Sequence, residues 1–236
     1  MPKTKRQKMD KAIVIALIGL AGTVIAALIA SPVIERFFEK TPAPETADAS
    51  SRTKELVFDN DFEDGEVTGF YISSDDWQVI KDGGKSVLEI SGTGSGNTTA
   101  SFGSNDFSNG IIEFQIKFKD FDGFILTFRS SGDETYTLYL APNGGEVKLG
   151  YGSAANDWNL EPFQNGVSLL NFSEDVWYDV KLEVLNDQIT LWMGGNKTLS
   201  SQDSRLRQGG LDFAVQYNGT VLLDNVKVYE FSPLNK

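Results

Sequence analysis

VKLEVLNDQITLWM, residues 180–193, contains two segments in which apolar and polar residues alternate, separated by Asn186 and Asp187. Alternation with a period of two places one face of an extended segment in a core and the other in solvent. Two polar residues between such segments are typical of a short turn. The stretch therefore predicts a β-hairpin.

The same period recurs across the C-terminal three quarters of the chain. IEFQIKF, residues 112–118, alternates strictly. Further strands are predicted at 56–58, 77–80, 87–90, 98–102, 124–129, 136–140, 147–151, 211–217 and 221–229. Asp-Gly-Gly, Asn-Gly-Gly, Gly-Gly-Asn and Asn-Gly-Thr turn signals lie between them, and no segment of this region has helical spacing. Residues 55–232 are therefore predicted to form an all-β domain of two packed antiparallel sheets, a sandwich or jelly roll.

Four segments carry a resemblance to a known group: DWQVIKDGGKSVLEI, GFILTFRSSGDETYTLYL, DVWYDVKLEVLNDQITLWMGG and GGLDFAVQYNGTVLLDNVKVYEF. Their order resembles that of the laminin-G-like and 3-keto-disaccharide-hydrolase-like jelly rolls of the concanavalin A-like lectin/glucanase superfamily. The resemblance implies contact with carbohydrate as the commonest role, with adhesion and protein binding also represented. Because one fold hosts many functions, it assigns no activity.

A run without charged residues, AIVIALIGLAGTVIAALIA, occupies residues 12–30. As a helix it is about 28 Å long, which matches the hydrocarbon core of a bilayer. Residues 1–11 are rich in Lys and Arg, so this tail is expected in the cytoplasm and the C-terminal domain on the extracellular or periplasmic side. Residues 31–54 are predicted to form a juxtamembrane segment and flexible stalk. A cleaved signal peptide is the alternative to this single-pass anchor.

Charge and composition exclude several classes of function. Removing the +4 of residues 1–11 from the net charge of −12 leaves −16 on the rest of the chain, which disfavours nucleic acid as a partner. The chain contains no Cys and no His, so Ser-His-Asp and Cys-His catalysis and zinc sites built from these residues are excluded. An exported domain without Cys also suggests a prokaryotic cell surface.

Any catalysis would have to use carboxylates, Lys, Tyr or a hard metal, and carboxylates are the usual means of catalysis on sugars. Related β-glucanases carry a Glu-x-Asp-x-Glu strand, which places a nucleophile and a general acid on one face of a sheet. This chain has no such strand: Glu113 and Glu183 stand alone on theirs and are interpreted as parts of solvated faces. No catalytic residue is therefore predicted.

Calcium is the only cofactor suggested. The resemblance implies a structural calcium where an opening Asp-Phe-Glu segment meets a closing Asp-Asn-Val segment, which here gives Asp61, Glu63, Asp224 and Asn225 as ligands. Ordinary turn chemistry of Asp and Asn explains the same residues without a metal.

Sugar binding requires aromatic faces together with a few oriented polar groups. Trp77 and Trp177 begin apolar strands and are interpreted as core residues, whereas Trp158 lies in a polar loop, GSAANDWNLEPFQNG. Alternation turns four further residues away from the core. The predicted ligand-binding residues are Arg129, Tyr139, Trp158, Trp192 and Gln216.

The leading hypothesis from the sequence is a membrane-anchored, carbohydrate-binding module without catalysis. Its partners would be the membrane, through one span, and a carbohydrate or cell-surface polymer. A sugar hydrolase of the 3-keto-disaccharide type is the first alternative. A structural or adhesive protein that binds another protein is the second.

Overall fold

The computed structural model describes residues 52–72, 76–92, 97–120, 123–153, 160–216 and 218–232; for residues 97, 153 and 216 it describes the backbone alone. The chain divides into two units, Met1–Glu45 and Thr46–Lys236, and all described residues belong to the second. The predicted basic tail, the predicted membrane helix and nearly all of the predicted stalk thus lie outside the described residues. Within the described ranges, no helix is long and apolar enough to cross a membrane.

Fifteen strands and no helix are found in the described residues. The strands are β1 (Lys54–Asn60), β2 (Phe70–Ile72), β3 (Trp77–Asp82), β4 (Lys85–Ser91), β5 (Asn97–Phe107), β6 (Gly110–Phe118), β7 (Phe124–Ser131), β8 (Glu134–Ala141), β9 (Glu146–Ser153), β10 (Glu161–Leu169), β11 (Trp177–Leu185), β12 (Gln188–Met193), β13 (Asn196–Gln202), β14 (Gly209–Gln216) and β15 (Thr220–Phe231).

The strands form two antiparallel sheets. The eight-stranded sheet has the order β13-β12-β11-β6-β15-β4-β3, and its eighth strand, β1, pairs with the second half of β15. The seven-stranded sheet has the order β10-β9-β8-β7-β14-β5-β2. The predicted all-β, jelly-roll-like sandwich of two antiparallel sheets is therefore confirmed.

The alternation quoted from residues 180–193 produces the hairpin that it predicts. β11 and β12 pair from Val180 with Met193 to Leu185 with Gln188, which leaves a two-residue turn. Asn186 in that turn has φ of 54°, a left-handed conformation that Asn tolerates better than most residues. Because the register is fixed by so short a turn, the two strands present their alternating aliphatic residues to the core together: Val180, Leu182, Val184, Ile189, Leu191 and Met193.

Aromatic rings from both sheets fill the core. Phe102 and Phe213 of the seven-stranded sheet stack with ring centroids 4.2 Å apart. Phe114 of the eight-stranded sheet meets Phe213 edge to face at 5.2 Å. All three are at most 2% exposed, and burial of each ring contributes about 1.5–3 kcal/mol. This packing joins the inner faces of the sheets and leaves their outer faces for other uses.

Candidate functional site

The predicted ligand-binding residues do not share one surface. Tyr139 is half-buried on the outer face of the seven-stranded sheet, where its cross-strand neighbours are Ile125 and Lys148. Trp192 is half-buried on the outer face of the eight-stranded sheet, on the opposite side of the sandwich. Both residues point away from the core, as predicted, but they belong to two separate faces.

Arg129 does not line an open face, so its predicted orientation is wrong. It is 1% exposed, and its guanidinium donates to the backbone carbonyls of Ser108 and Leu206. The pairing of β7 with both neighbouring strands is irregular here, and Arg129 has φ of 52°. This left-handed bulge breaks the alternation on which the prediction rested. Burial lowers the pKa of the guanidinium, which nevertheless stays charged.

Trp158 and Gln216 are the other two predicted ligand-binding residues. Trp158 lies outside the described residues, and the loop predicted around it is wrong for its last part, because residues 161–166 belong to β10. Gln216 ends β14 and pairs with Asn97, but its side chain is not among those described. Ligand binding by either residue stays a prediction.

The two tryptophans interpreted as core residues differ. Trp77 is 6% exposed and donates from its indole Nε1 to Thr98 Oγ1 at 2.8 Å, so its core position is confirmed. Trp177 is half-buried on the outer face of the eight-stranded sheet, with Lys117 Nζ 5.1 Å from its ring centroid. Its predicted core position is wrong because β11 begins with the opposite phase, in which residues 178, 180 and 182 face inward.

A groove crosses the outer face of the eight-stranded sheet. It lies over β12, β11, β6 and β15. Trp192 on β12 and Tyr229 on β15 are the aromatic lining residues on the outer face, since the ring of Phe114 packs in the core. Its cavity volume is about 710 Å³, within the usual range for small-molecule sites. We call it the Trp192 groove.

One row of the groove alternates in charge. Trp192 pairs with Lys181, Lys181 with Glu113, and Glu113 with Lys227 on successive strands. Cross-strand neighbours on one face have Cβ atoms about 5 Å apart, so these side chains are in reach of one another. Lys181 contacts Glu183 at 3.6 Å and Lys227 contacts Asp59 at 3.8 Å. The Glu113 carboxylate has no hydrogen bond or ion pair with any described residue.

A second row consists of three connected polar side chains. Gln115 Nε2 donates to Asp179 Oδ1 at 2.8 Å, and Gln115 Oε1 accepts from Asn225 Nδ2 at 2.9 Å. The hydrogen bonds fix the orientation of the central amide. They leave Asp179 Oδ2 and Asn225 Oδ1 without a donor among the described residues, so both atoms are available as acceptors for a ligand.

Ammonium groups lie against both aromatic rings of the groove. Lys181 Nζ is 4.8 Å from the centroid of Trp192, and Lys54 Nζ is 3.5 Å from that of Tyr229. These cation–π contacts hold the two rings at the boundaries of the groove. Each ring is thereby positioned before any ligand arrives.

A bulge in β15 places the amide side chain of Asn225 in the groove. The register with β6 shifts between Asp224 and Lys227, and Asn225 has φ of 53°. Leu223 and Val226 on either side are fully buried, so the bulge turns two consecutive polar residues to the outer face. The side chain of Asn225 donates a hydrogen bond to Gln115, whereas that of Asp224 forms an ion pair with Lys85 on β4.

Two of the four predicted calcium ligands, Asp224 and Asn225, have different partners at this bulge. Asp224 Oδ2 lies 3.6 Å from Lys85 Nζ, whereas the amide of Asn225 is bonded inside the groove. Asp61 caps the backbone N–H of Glu63 in an exposed turn, and Glu63 accepts from the N–H of Ser86. No group of three or more acidic residues able to hold a metal is present among the described residues. Calcium binding by Asp61, Glu63, Asp224 and Asn225 stays a prediction.

Asp224 is a buried acidic residue, with an exposure of 3%. Burial raises the pKa of its carboxyl, against the backbone hydrogen bond from Asn225 and the charge of Lys85, which lower it. The lysine therefore acts here as the positive partner of a buried carboxylate.

Most residues of the groove were missed by the sequence interpretation. Glu113 was assigned to a solvated face, and Gln115, Asp179 and Lys227 were given no role. Alternation alone puts each of them on an outer face, and this signal was readable. What was not readable is that β6 lies between β11 and β15, since these neighbours are far apart in sequence.

The fold is similar to that of several proteins of known structure. No protein-family model matches the chain, and no curated protein matches it in sequence. The carbohydrate-binding module CBM66 from Bacillus subtilis matches in structure with a TM-score of 0.55 at 18% identity, over 67% of this chain and 94% of that one. A B. subtilis protein of unknown function with a galectin-like fold matches with a TM-score of 0.61 at 10% identity, over 76% and 98%. The κ-carrageenase of Pseudoalteromonas carrageenovora matches with a TM-score of 0.55 at 14% identity, over 81% and 100%.

These likenesses establish the class of fold. The chain has a jelly-roll-like sandwich of the kind found in a carbohydrate-binding module and in an endo-β-1,3(4)-glucanase of family GH16, which also matches in structure. Structural neighbours thus include both proteins that bind carbohydrate and enzymes that act on it.

Proposed function

We propose that this protein binds carbohydrate in the Trp192 groove and does not cleave it. The observation that carries the proposal is the combination of two positioned aromatic rings with the hydrogen-bonded row of Asp179, Gln115 and Asn225. Aromatic faces pack against the C–H surfaces of sugar rings, and oriented carboxylates and amides bind their hydroxyl groups. Both requirements are met within one cavity of suitable volume.

Binding without cleavage is supported by the surroundings of the two acids in the groove. Glu113 has a lysine as its cross-strand neighbour on each side, and Asp179 accepts a hydrogen bond from Gln115. The β-glucanases with this fold carry nucleophile and general acid on one strand at a period of two, whereas Glu113 and Asp179 lie on different strands, β6 and β11. The presence of two carboxylates, Glu113 and Asp179, in one groove nevertheless favours the alternative function, a sugar hydrolase.

Binding is tested with the full chain on a glycan array, followed by calorimetry with the glycans that bind. Trp192→Ala should lower the affinity at least about tenfold, since stacking contributes about 0.5–1.5 kcal/mol beyond area burial. Trp177→Ala is the matched control, because Trp177 lies on the same outer face but outside the groove, and it should leave the affinity unchanged. Absence of binding to any plant, algal or bacterial polysaccharide would contradict the proposal.

Two other results would favour the alternatives. Release of reducing or keto sugar that disappears in Glu113→Gln or Asp179→Asn would indicate a hydrolase. A stable protein partner, recovered with purified components while all glycans stay inert, would indicate an adhesive protein.

We also propose that residues 12–30 tether this domain to a cell membrane, with residues 1–11 in the cytoplasm, residues 31–54 as a stalk and the domain of residues 55–232 outside. The support is the uncharged run with its basic flank. Membrane fractionation and protease protection of intact cells test the arrangement. Recovery of a soluble chain that begins near residue 31 would show cleavage of a signal peptide instead.

A further inference from the structure

We infer that the Trp192 groove takes an uncharged glycan segment of about three sugar units, lying across the strands. This inference rests on the proposed function and adds the charge and the length of the ligand. The charge follows from the ionised side chains of the groove, and the length from the spacing of its strands.

The charged side chains that line the groove balance one another. Glu113 and Asp179 are opposed by Lys181 and Lys227, and none of these four residues is fully buried. The groove offers an anionic sugar two lysines but also two carboxylates, and an amino sugar two carboxylates but also two lysines, so neither gains a net attraction. Either would be desolvated next to a like charge, which is unfavourable, whereas neutral hydroxyl groups can donate to the carboxylates and accept from the lysines.

The net charge of the rest of the chain also disfavours anionic ligands. Outside residues 1–11 the chain carries a net charge of −16. This field repels a sulfated or uronate-rich polymer as it approaches, before any contact in the groove is made. Anionic glycans are thus disfavoured at both stages of binding.

The length follows from the sheet. Trp192 lies on β12 and Tyr229 on β15, with β11 and β6 between them, so that three interstrand spacings separate the aromatic members. At about 4.8 Å each, these spacings give about 14 Å. A chain of about three sugar rings covers this distance over the row of Lys181, Glu113 and Lys227. The row of Asp179, Gln115 and Asn225 flanks it on the side away from Tyr229, because Tyr229 pairs with Ile111.

The test is calorimetry of the full chain with three sets of oligosaccharides of increasing length: neutral β-glucans, sulfated κ-carrageenan oligomers and chitosan oligomers. We expect binding of the neutral set alone, with an affinity that rises up to about three units and then levels off, and that changes less than about twofold between about 50 and about 500 mM NaCl. Tighter binding of either charged set, with strong salt dependence, would overturn the inference and leave the proposed function intact. So would an affinity that keeps rising well beyond three units.

A charge variant sharpens the test. Glu113→Gln gives the groove a net positive charge and should raise the affinity for carrageenan oligomers at least about fivefold. Glu146→Gln, on the outer face of the other sheet beside Lys148, makes the same change of net charge outside the groove and should have no such effect. Equal effects of the two variants would contradict the inference. Failure of every polysaccharide to bind would instead contradict the proposed function, and the inference with it.

Discussion

Arg129 donates a hydrogen bond of 3.0 Å to the backbone carbonyl of Leu206, which lies 77 residues later in the chain. The same guanidinium donates to the carbonyl of Ser108 from Nε at 2.9 Å. One buried cation therefore joins the end of β7, the β5–β6 turn and the segment before β14. Its role in the structure is to hold these segments together at one end of the sandwich.

Replacement of this arginine should destabilise the domain. Arg129→Met keeps much of the volume but leaves the carbonyls of Ser108 and Leu206 without their donor, which should cost about 2–4 kcal/mol of the free energy of unfolding. Denaturant unfolding measures the loss. Arg207→Met is the matched control, since its ion pair with Asp187 is exposed and should contribute less than about 1 kcal/mol. Equal losses in both variants would show that the buried hydrogen bonds of Arg129 contribute no more to the free energy of unfolding than an exposed ion pair does.

Tyr136 gives a prediction for alkaline pH. Burial, together with a hydrogen bond to Asp203, raises the pKa of its hydroxyl from 10.0 to about 12. Because the folded state holds this proton more tightly than the unfolded state, the contribution is fully present below pH 10 and is lost as the pH rises from 10 through 12. The loss should reach about 2–3 kcal/mol.

Unfolding by denaturant at pH 9 and at pH 11 measures about half of this loss, roughly 1.3 kcal/mol, because Tyr136 in the folded state is still mostly protonated at pH 11. Tyr136→Phe removes the titrating group and should reduce the difference between the two pH values. The same variant should be less stable at pH 7, because the backbone N–H of Leu206 loses its partner and the carboxylate of Asp203 keeps only Arg205. An unchanged pH dependence in Tyr136→Phe would assign the alkaline loss to other groups.

The groove gives a prediction on affinity without a change in stability. Gln115→Leu removes the amide that connects Asp179 and Asn225, so both side chains lose their fixed orientation. We expect the affinity for the glycan to fall about tenfold, the equivalent of one or two hydrogen bonds. Gln78→Leu is the matched control, because Gln78 makes a similar bond to Glu89 on an exposed part of the same sheet. Melting temperatures should stay within a few degrees of the wild type for both variants.

The fold was predictable because the alternation that marks most strands can be read within each short segment of sequence. Every strand with a clear apolar alternation was found, and the turn between β11 and β12 was placed correctly. The strands that were missed lack the signal: in β13 Leu199 is the only buried apolar residue, and β10 contains Pro162 and Gly166 with an interrupted register. β2 has three residues, too few to show a period.

The site was less predictable because it depends on which strands become neighbours. Trp192 was correctly turned away from the core, but its partners in the groove come from β6 and β15, which are distant in sequence. The two bulges had a larger effect. They turned Arg129 inward and brought Asn225 to the face of the groove, and alternation cannot foresee an inserted residue.

A glycine in the eight-stranded sheet provides the last prediction. A Cβ atom added to Gly110 would lie 2.0 Å from the backbone carbonyl oxygen of Tyr229 and 2.9 Å from the ring of Phe107. The backbone of β15 cannot move away without breaking its pairing with β6, so Gly110→Ala should destabilise the domain by about 1–3 kcal/mol or more. Since Tyr229 is also part of the groove, the affinity for the glycan should fall as well. Gly210→Ala is the control, because the nearest atom to its added Cβ is 3.9 Å away and belongs to the side chain of Asn105. Thermal unfolding of the two variants beside the wild type measures the difference, and a Gly110→Ala protein as stable as Gly210→Ala would show that the two strands are not packed as closely as described.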